Sequence, residues 1–153
     1  MRTKGTQGGF SLIEVVIVAA IVGITVAVAV PSYRSYTIKT KRAAAQADLM
    51  ELSHIMERRF TAVGRYDEAD DPGTYVLPFA TSPKNGGEVE YNLAFDAIDT
   101  ISYVLEATPT VGQDQDTHCG VISITEAGVK CILGGDSCTN GDAAAQAAVE
   151  ECW

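Results

Sequence analysis

The stretch Gly8-Gly9-Phe10-Ser11-Leu12-Ile13-Glu14, continuing as VVIVAAIVGITVAVAV through Val30, decides how the chain must be read. From Phe10 to Val30 it holds 21 residues and a single charge, Glu14. At a rise of about 1.5 Å per residue, a helix of that length spans the ~30 Å hydrocarbon core of a bilayer. Ahead of it stand the short, polar and basic residues MRTKGTQGG. Such a start fits a secretory signal peptide, a plain membrane anchor, or a leader cut away from a helix that stays. Ala27-Val28-Ala29 satisfies the small-x-small rule for signal cleavage, which would release a secreted domain beginning at Val30. Against that reading, the apolar run exceeds the ~7 to 15 residues of a signal peptide and carries an acid near its start. A plain anchor explains the length but leaves Glu14 unexplained.

Past Pro31, the apolar residues Ala45, Leu49, Leu52, Met56 and Phe60 recur at spacings of four, three, four and four, the stripe of an amphipathic helix that stops near Gly64. Pro31 removes one hydrogen bond and crowds the carbonyl of Ala27, bending the helix rather than ending it. One kinked helix of about 50 residues, some 75 to 80 Å long, is therefore expected. Residues 64–88 carry Asp-Pro-Gly, Ser-Pro and Asn-Gly-Gly and read as a connecting loop. Over 89–133 the pattern alternates. Val89, Tyr91, Leu93 and Phe95 make one apolar face and Ile101, Tyr103, Leu105 and Ala107 another. Cys119–Thr125 and Val129–Leu133 read as a hairpin turning at Glu126-Ala127-Gly128. The fold class is thus α+β, a long N-terminal helix packed on a four-stranded antiparallel sheet that is covered on one side.

Composition narrows the function. Residues 31–153, 123 of them, support one modest core and exclude a multidomain enzyme. The chain carries a formal charge of −9, and residues 67–153 hold 16 acids against Lys84 and Lys130, a local net of −14. A surface that acidic repels a phosphate backbone and argues against nucleic acid as a partner. Arg34, Lys39, Lys41 and Arg42, just past the apolar run, read as a solvated or headgroup-facing cluster, with a DNA-binding patch as the lesser alternative. His54 and His118 are the only histidines, and neither has ligand or nucleophile spacing. No constellation of acid, base and nucleophile is visible, so the chain is not read as an enzyme and needs no cofactor. Asp67, Glu68, Asp70 and Asp71 could gather around calcium but lack the spacing of a defined calcium loop, and read as a solvated acidic loop. Cys119, Cys131, Cys138 and Cys152, an even count without any CxxC pair, point to disulfides and an oxidising compartment rather than zinc.

The motif GGFSLIEVVIVAAIVGI resembles the type IV pilin family, whose precursors carry a short basic leader ending in Gly. The match is specific over residues 8–31. The resemblance implies a leader of residues 1–9 cut between Gly9 and Phe10 by a prepilin peptidase, and N-methylation of Phe10 by the same enzyme. It also implies a role in assembly for Glu14, at the fifth mature position, and helix-breaking roles for Gly23 and Pro31. Residues 10–30 would form the transmembrane and assembly half of the helix, and residues 31–153 the pilin domain. The ending, with Cys119 after an Asp-rich loop and Cys152-Trp153, looks like minor pilins of the PilE kind. The extra pair Cys131 and Cys138 departs from that pattern. Of three connectivities, Cys119–Cys152 with Cys131–Cys138 is expected, the long bridge fastening the end of the chain to the sheet.

A central carboxylate costs roughly 2.5 to 3.5 kcal/mol to place in a membrane helix, so Glu14 calls for a partner, such as the cationic amine that cleavage would create on a neighbouring subunit. The implied function is a structural subunit of a type IV pilus. It would be held in the inner membrane with its C-terminal domain in the periplasm, then become part of the extracellular filament. Its implied partners are other pilin subunits, the prepilin peptidase and methylase, and the inner-membrane assembly machinery. The rivals are a pseudopilin of type II secretion and a bitopic protein with an outer ligand-binding domain.

Overall fold

The computed structural model describes residues 9, 11–135 and 137–153. The leader residues 1–8 and Phe10, which carry the cleavage and methylation expectations, lie outside the described residues. The elements run α1 (Leu12–Val63), β1 (Thr81–Ser82), β2 (Tyr91–Ile98), β3 (Tyr103–Pro109), β4 (Ile122–Thr125), β5 (Lys130–Ile132), a short 3-10 turn (Leu133–Gly135), β6 (Ser137–Cys138) and α2 (Ala143–Cys152). The chain divides into two compact units, one up to Thr37 and one from Ile38 to Trp153. α1 has 52 residues and remains helical through Gly23 and Pro31. It stops at Gly64, whose φ of 74° only glycine adopts without strain and whose N–H donates to the Phe60 carbonyl at 2.8 Å.

Within the second unit, Ala45, Leu49, Leu52 and Met56 are fully buried. Phe60, the fifth residue of the stripe, is half-buried and stacks on Tyr66 with ring centroids 4.6 Å apart. The stripe packs with Tyr91, Leu93, Tyr103, Leu105, Ala107, Ile122 and Ile124 from the sheet in one core. Along β3, buried Tyr103, Leu105 and Ala107 alternate with less buried Val104, Glu106 and Thr108, as a sheet covered on one face requires.

The sheet is antiparallel, in the order β1-β2-β3-β4-β5-β6, and has six strands rather than the four expected. The additions, β1 and β6, are two residues each and lie in stretches whose Pro, Gly and Cys give no alternation. They exist because neighbouring backbone needs partners: Leu93 N–H donates to the Ala80 carbonyl at 2.9 Å, and Thr139 N–H to the Lys130 carbonyl at 2.8 Å. Val89 and Ile101, expected in strands, stand exposed just outside β2 and β3. A bulge between Phe95 and Ala97 ends the regular alternation of β2. The β4–β5 hairpin turns where expected, on Gly128.

α2 is the larger surprise in a region expected to be loop. Asp142 caps it, its carboxylate accepting from Ala145 N–H at 2.8 Å, and Ala143 to Ala148 supply strong helix formers.

Candidate assembly site

From Leu12 to Val30 every residue of α1 is exposed, and none of the apolar stretch is buried against the chain. Glu14 lies in the first turn, where the Ser11 carbonyl accepts from Glu14 N–H at 3.0 Å and Val15 N–H at 3.3 Å. An acid there faces the positive end of the helix dipole. The one hydroxyl of residues 12–30 is internally satisfied, Thr25 Oγ1 donating to the Ile21 carbonyl at 2.8 Å. Glu14 is the one ionisable side chain of residues 12–30, and a carboxylate is costly to place in hydrocarbon. A Cβ at Gly23 would meet nothing within 4 Å beyond the helix's own backbone. Gly9 is exposed.

In the second unit a polar latch joins α1 to the loop before β4. Arg42 is buried, with Nη1 donating to Asp116 Oδ1 at 3.1 Å and to the Cys119 sulfur. The Tyr91 hydroxyl donates to Asp116 Oδ2 at 3.4 Å. Gln113 Nε2 donates to the Ile38 carbonyl at 2.9 Å and to the Tyr91 hydroxyl at 3.2 Å. Burial pushes the Tyr91 phenol up to about 12. Alongside, Lys41 pairs with Glu90 at 2.6 Å, and the Ser82 hydroxyl donates to buried Asp48 at 2.6 Å.

The expected solvated cluster is thereby split. Arg34 and Lys39 are exposed, while Lys41 and Arg42 serve internal ion pairs. Arg42 stands three residues before Ala45 and seven before Leu49, on the buried stripe itself, and that period is the signal that locates it inside.

Cys119 is bonded to Cys152 and Cys131 to Cys138. Trp153 Nε1 donates to the Cys131 carbonyl at 3.0 Å, and Lys130 Nζ sits 4.9 Å from the centre of its ring. The Gln46 amide donates to the Cys152 carbonyl, so α1, β5 and α2 hold one another. His118 lies near Cys119 and Cys152, but the disulfide leaves those sulfurs no thiolate to offer a metal. His118 pairs instead with Glu151 at 3.2 Å, and His54 is exposed on α1.

The acids of the connecting loop do not converge on one point. Asp67 is fully buried, accepting from Arg65 Nε at 2.7 Å, Gly73 N–H at 3.0 Å and Thr100 Oγ1 at 3.5 Å. The Arg65 hydrogen bond, with Gly73 behind it, holds the carboxyl down at about 2. Glu68 turns to Arg59 at 3.1 Å, and Asp70 and Asp71 are exposed. The loop is organised around a structural carboxylate.

Comparison with known proteins meets this geometry at both ends. The profile of the prokaryotic N-terminal methylation motif matches residues 4–30, and that of the family described as "Type IV minor pilin ComP, DNA uptake sequence receptor" matches residues 31–123. The chain is 29% identical over 125 residues to the type IV major fimbrial protein FimA of Dichelobacter nodosus, covering 72% of this chain and 74% of that one. It is also 29% identical over 98 residues to the type IV major pilin PilA of Myxococcus xanthus, covering 64% and 42%, so it spans less than half the length of that relative. The crystal structure of the non-core minor pilin PilV of Neisseria meningitidis aligns with a TM-score of 0.47 at 17% identity, covering 71% and 99%. The second profile spans more than half of the chain, and with the methylation motif ahead of it the chain belongs to the type IV pilins, in the minor pilin family described by that profile.

Proposed function

We propose that this pilin is a minor structural subunit of a type IV pilus. In this reading it is made as a prepilin, cut between Gly9 and Phe10, methylated on Phe10, and assembled through the helix that follows. The single observation behind it is the apolar stretch Leu12–Val30, exposed along its whole length with Glu14 as its one charge. Such a surface has no stable place in water. It needs lipid before assembly and the helices of other subunits afterwards. The four oxidised cysteines support a periplasmic position for the domain before assembly and an extracellular one afterwards. Intact mass and quantitative proteomics of sheared filaments test the reading. A chain starting at N-methyl-Phe10 and present in filaments at far fewer copies than the major subunit is expected; retention of Met1, a start at Val30, or absence from filaments would overturn it. A pseudopilin would share the processed start but be absent from filaments.

The family description also names a DNA uptake receptor, but the charge of this chain favours a structural role over DNA capture. Half of the bases expected near the helix are consumed internally, and residues 67–153 have a net of −14. Gel-shift titration of the full chain in detergent against duplex DNA at low salt is expected to give no retention. Binding that weakens steeply with salt would reverse the order of the two readings.

A further inference from the structure

Two Asn-Gly pairs occur in the chain, Asn85-Gly86 and Asn140-Gly141, and the fold treats them oppositely. Asn85 is exposed at the tip of the turn joining β1 to β2. Gly86 has a φ of 91°, open space where a Cβ would stand, and no hydrogen bond to its N–H among the described residues. Asn140 is exposed as well, but the N–H of Gly141 donates to the Cys138 carbonyl at 3.0 Å. A Cβ at Gly141 would lie 3.0 Å from that oxygen and 3.1 Å from Ala145 Cβ, so its backbone is packed against the cap of α2.

From this contrast we propose that Asn85 is a site of spontaneous covalent modification, deamidation through a cyclic imide, while Asn140 is protected. The backbone nitrogen of Gly86 attacks the side-chain carbonyl carbon of Asn85. A C–N bond forms, ammonia leaves, and the nitrogen loses its proton to solvent. Water then opens the imide at either carbonyl, giving aspartate or the isoaspartate isomer whose main chain runs through the side chain. The net change is amide plus water to carboxylic acid plus ammonia, with no oxidant or metal. Attack requires an unhindered backbone nitrogen that is not already donating, and Gly86 meets both conditions where Gly141 meets neither.

The product changes a specific contact. Lys84 pairs with Glu51 on α1 and lies 5.4 Å from the centre of the Phe79 ring. A carboxylate at the next residue competes for that ammonium and adds one unit to the charge of −9. The isoaspartate form also lengthens the turn that sets β1 beside β2, loosening the pairing of Ser82 with Tyr91.

The test is peptide mapping of the full chain in detergent, aged in mildly alkaline buffer made with heavy-oxygen water, beside the reduced and denatured chain. In the denatured chain both Asn-Gly pairs should convert at similar rates. In the folded chain Asn85 should keep most of that rate and Asn140 should fall several-fold below it, each event carrying one heavy oxygen. Asn85→Gln should abolish the signal at that position, because the ring it would need is larger, and leave unfolding unchanged. Equal rates at the two sites in the folded protein, or an Asn85 as protected as Asn140, would overturn the proposal.

Discussion

Arg42 in α1 and Asp116 in the loop before β4 lie 74 residues apart in sequence and 3.1 Å apart in space, each side chain more than nine-tenths buried. The pair is the point at which helix, disulfide and sheet meet, since the same guanidinium touches the Cys119 sulfur. Removing one partner leaves the other charge without compensation. Arg42→Met alone should destabilise the domain by about 3 to 5 kcal/mol, whereas Arg42→Met with Asp116→Leu should recover much of that loss. Urea unfolding of the two variants with disulfides intact measures both. A single variant no less stable than the double would show that the pair contributes nothing specific.

The two disulfides differ in the chain they enclose, with sequence separations of 33 for Cys119–Cys152 and 7 for Cys131–Cys138. Loop-closure entropy gives about 4 kcal/mol for the long bridge and about 2.5 kcal/mol for the short one. Paired Cys→Ser replacements should therefore rank in that order in thermal unfolding. Loss of the long bridge also releases α2, which should raise hydrogen exchange from Ala145 to Cys152 first.

Titration acts at both ends of the pH scale. The Asp67 carboxyl, held at about 2 by Arg65 and Gly73, lies below its ordinary range near 4. Its contribution is therefore complete above about pH 4 and is lost as pH falls from there toward 2. Asp67→Asn should lower stability at neutral pH and flatten the acid limb of a stability profile. Tyr91 and Tyr103 are raised by burial to about 12, so their contribution is complete below about pH 10 and is lost as pH climbs toward 12. Tyrosinate absorbance should rise late in the folded protein and early in denaturant. Tyr103→Phe, which removes the hydroxyl that meets Ser53 at 2.9 Å, should remove part of the alkaline limb.

Glu14→Gln should leave membrane insertion, leader cleavage and the fold of the domain intact while reducing incorporation into filaments several-fold. In the proposed assembly, the acid and a neighbour's amine are each costly alone in hydrocarbon, and pairing offsets part of that cost. The measurement compares membrane and sheared-pilus fractions at matched expression. Equal incorporation would withdraw the assembly role.

The helix between Gly23 and Pro31 should be where a filament differs from the monomer. It is helical here, yet Gly costs about 1 kcal/mol of helix propensity and Pro31 cannot donate to Ala27. A filament reconstruction should find this stretch loosened, and unbroken helix there would contradict the expectation.

What the sequence made legible follows from period and range. The stripe from Ala45 to Met56 and the turn at Gly128 are local patterns, and both stand in the structure. β1 and β6 are too short to show any period, and their existence depends on which backbone lies opposite. α2 was hidden because its Ala-rich run has no long apolar stripe, although Asp142 three residues before Ala145 was a usable cap signal. At the candidate site, Glu14 is conspicuous by its surroundings alone. The Arg42–Asp116 latch is not, because charge in a sequence says nothing of a partner 74 residues away.

The pairing of the cysteines also sets an order of events. On the proposed route the domain crosses the inner membrane with its N-terminal end first, and the thiols emerge in the order Cys119, Cys131, Cys138 and Cys152. An oxidant that joined each new thiol to the one before would link Cys119 to Cys131 and leave Cys138 for Cys152. The native pattern is nested, with Cys131–Cys138 inside Cys119–Cys152. Cys119 must therefore wait past two nearer partners or be rescued by exchange through a mixed disulfide. On the proposed route, a nested pattern makes correct joining depend on delayed oxidation or on thiol exchange, before any question of filament growth arises.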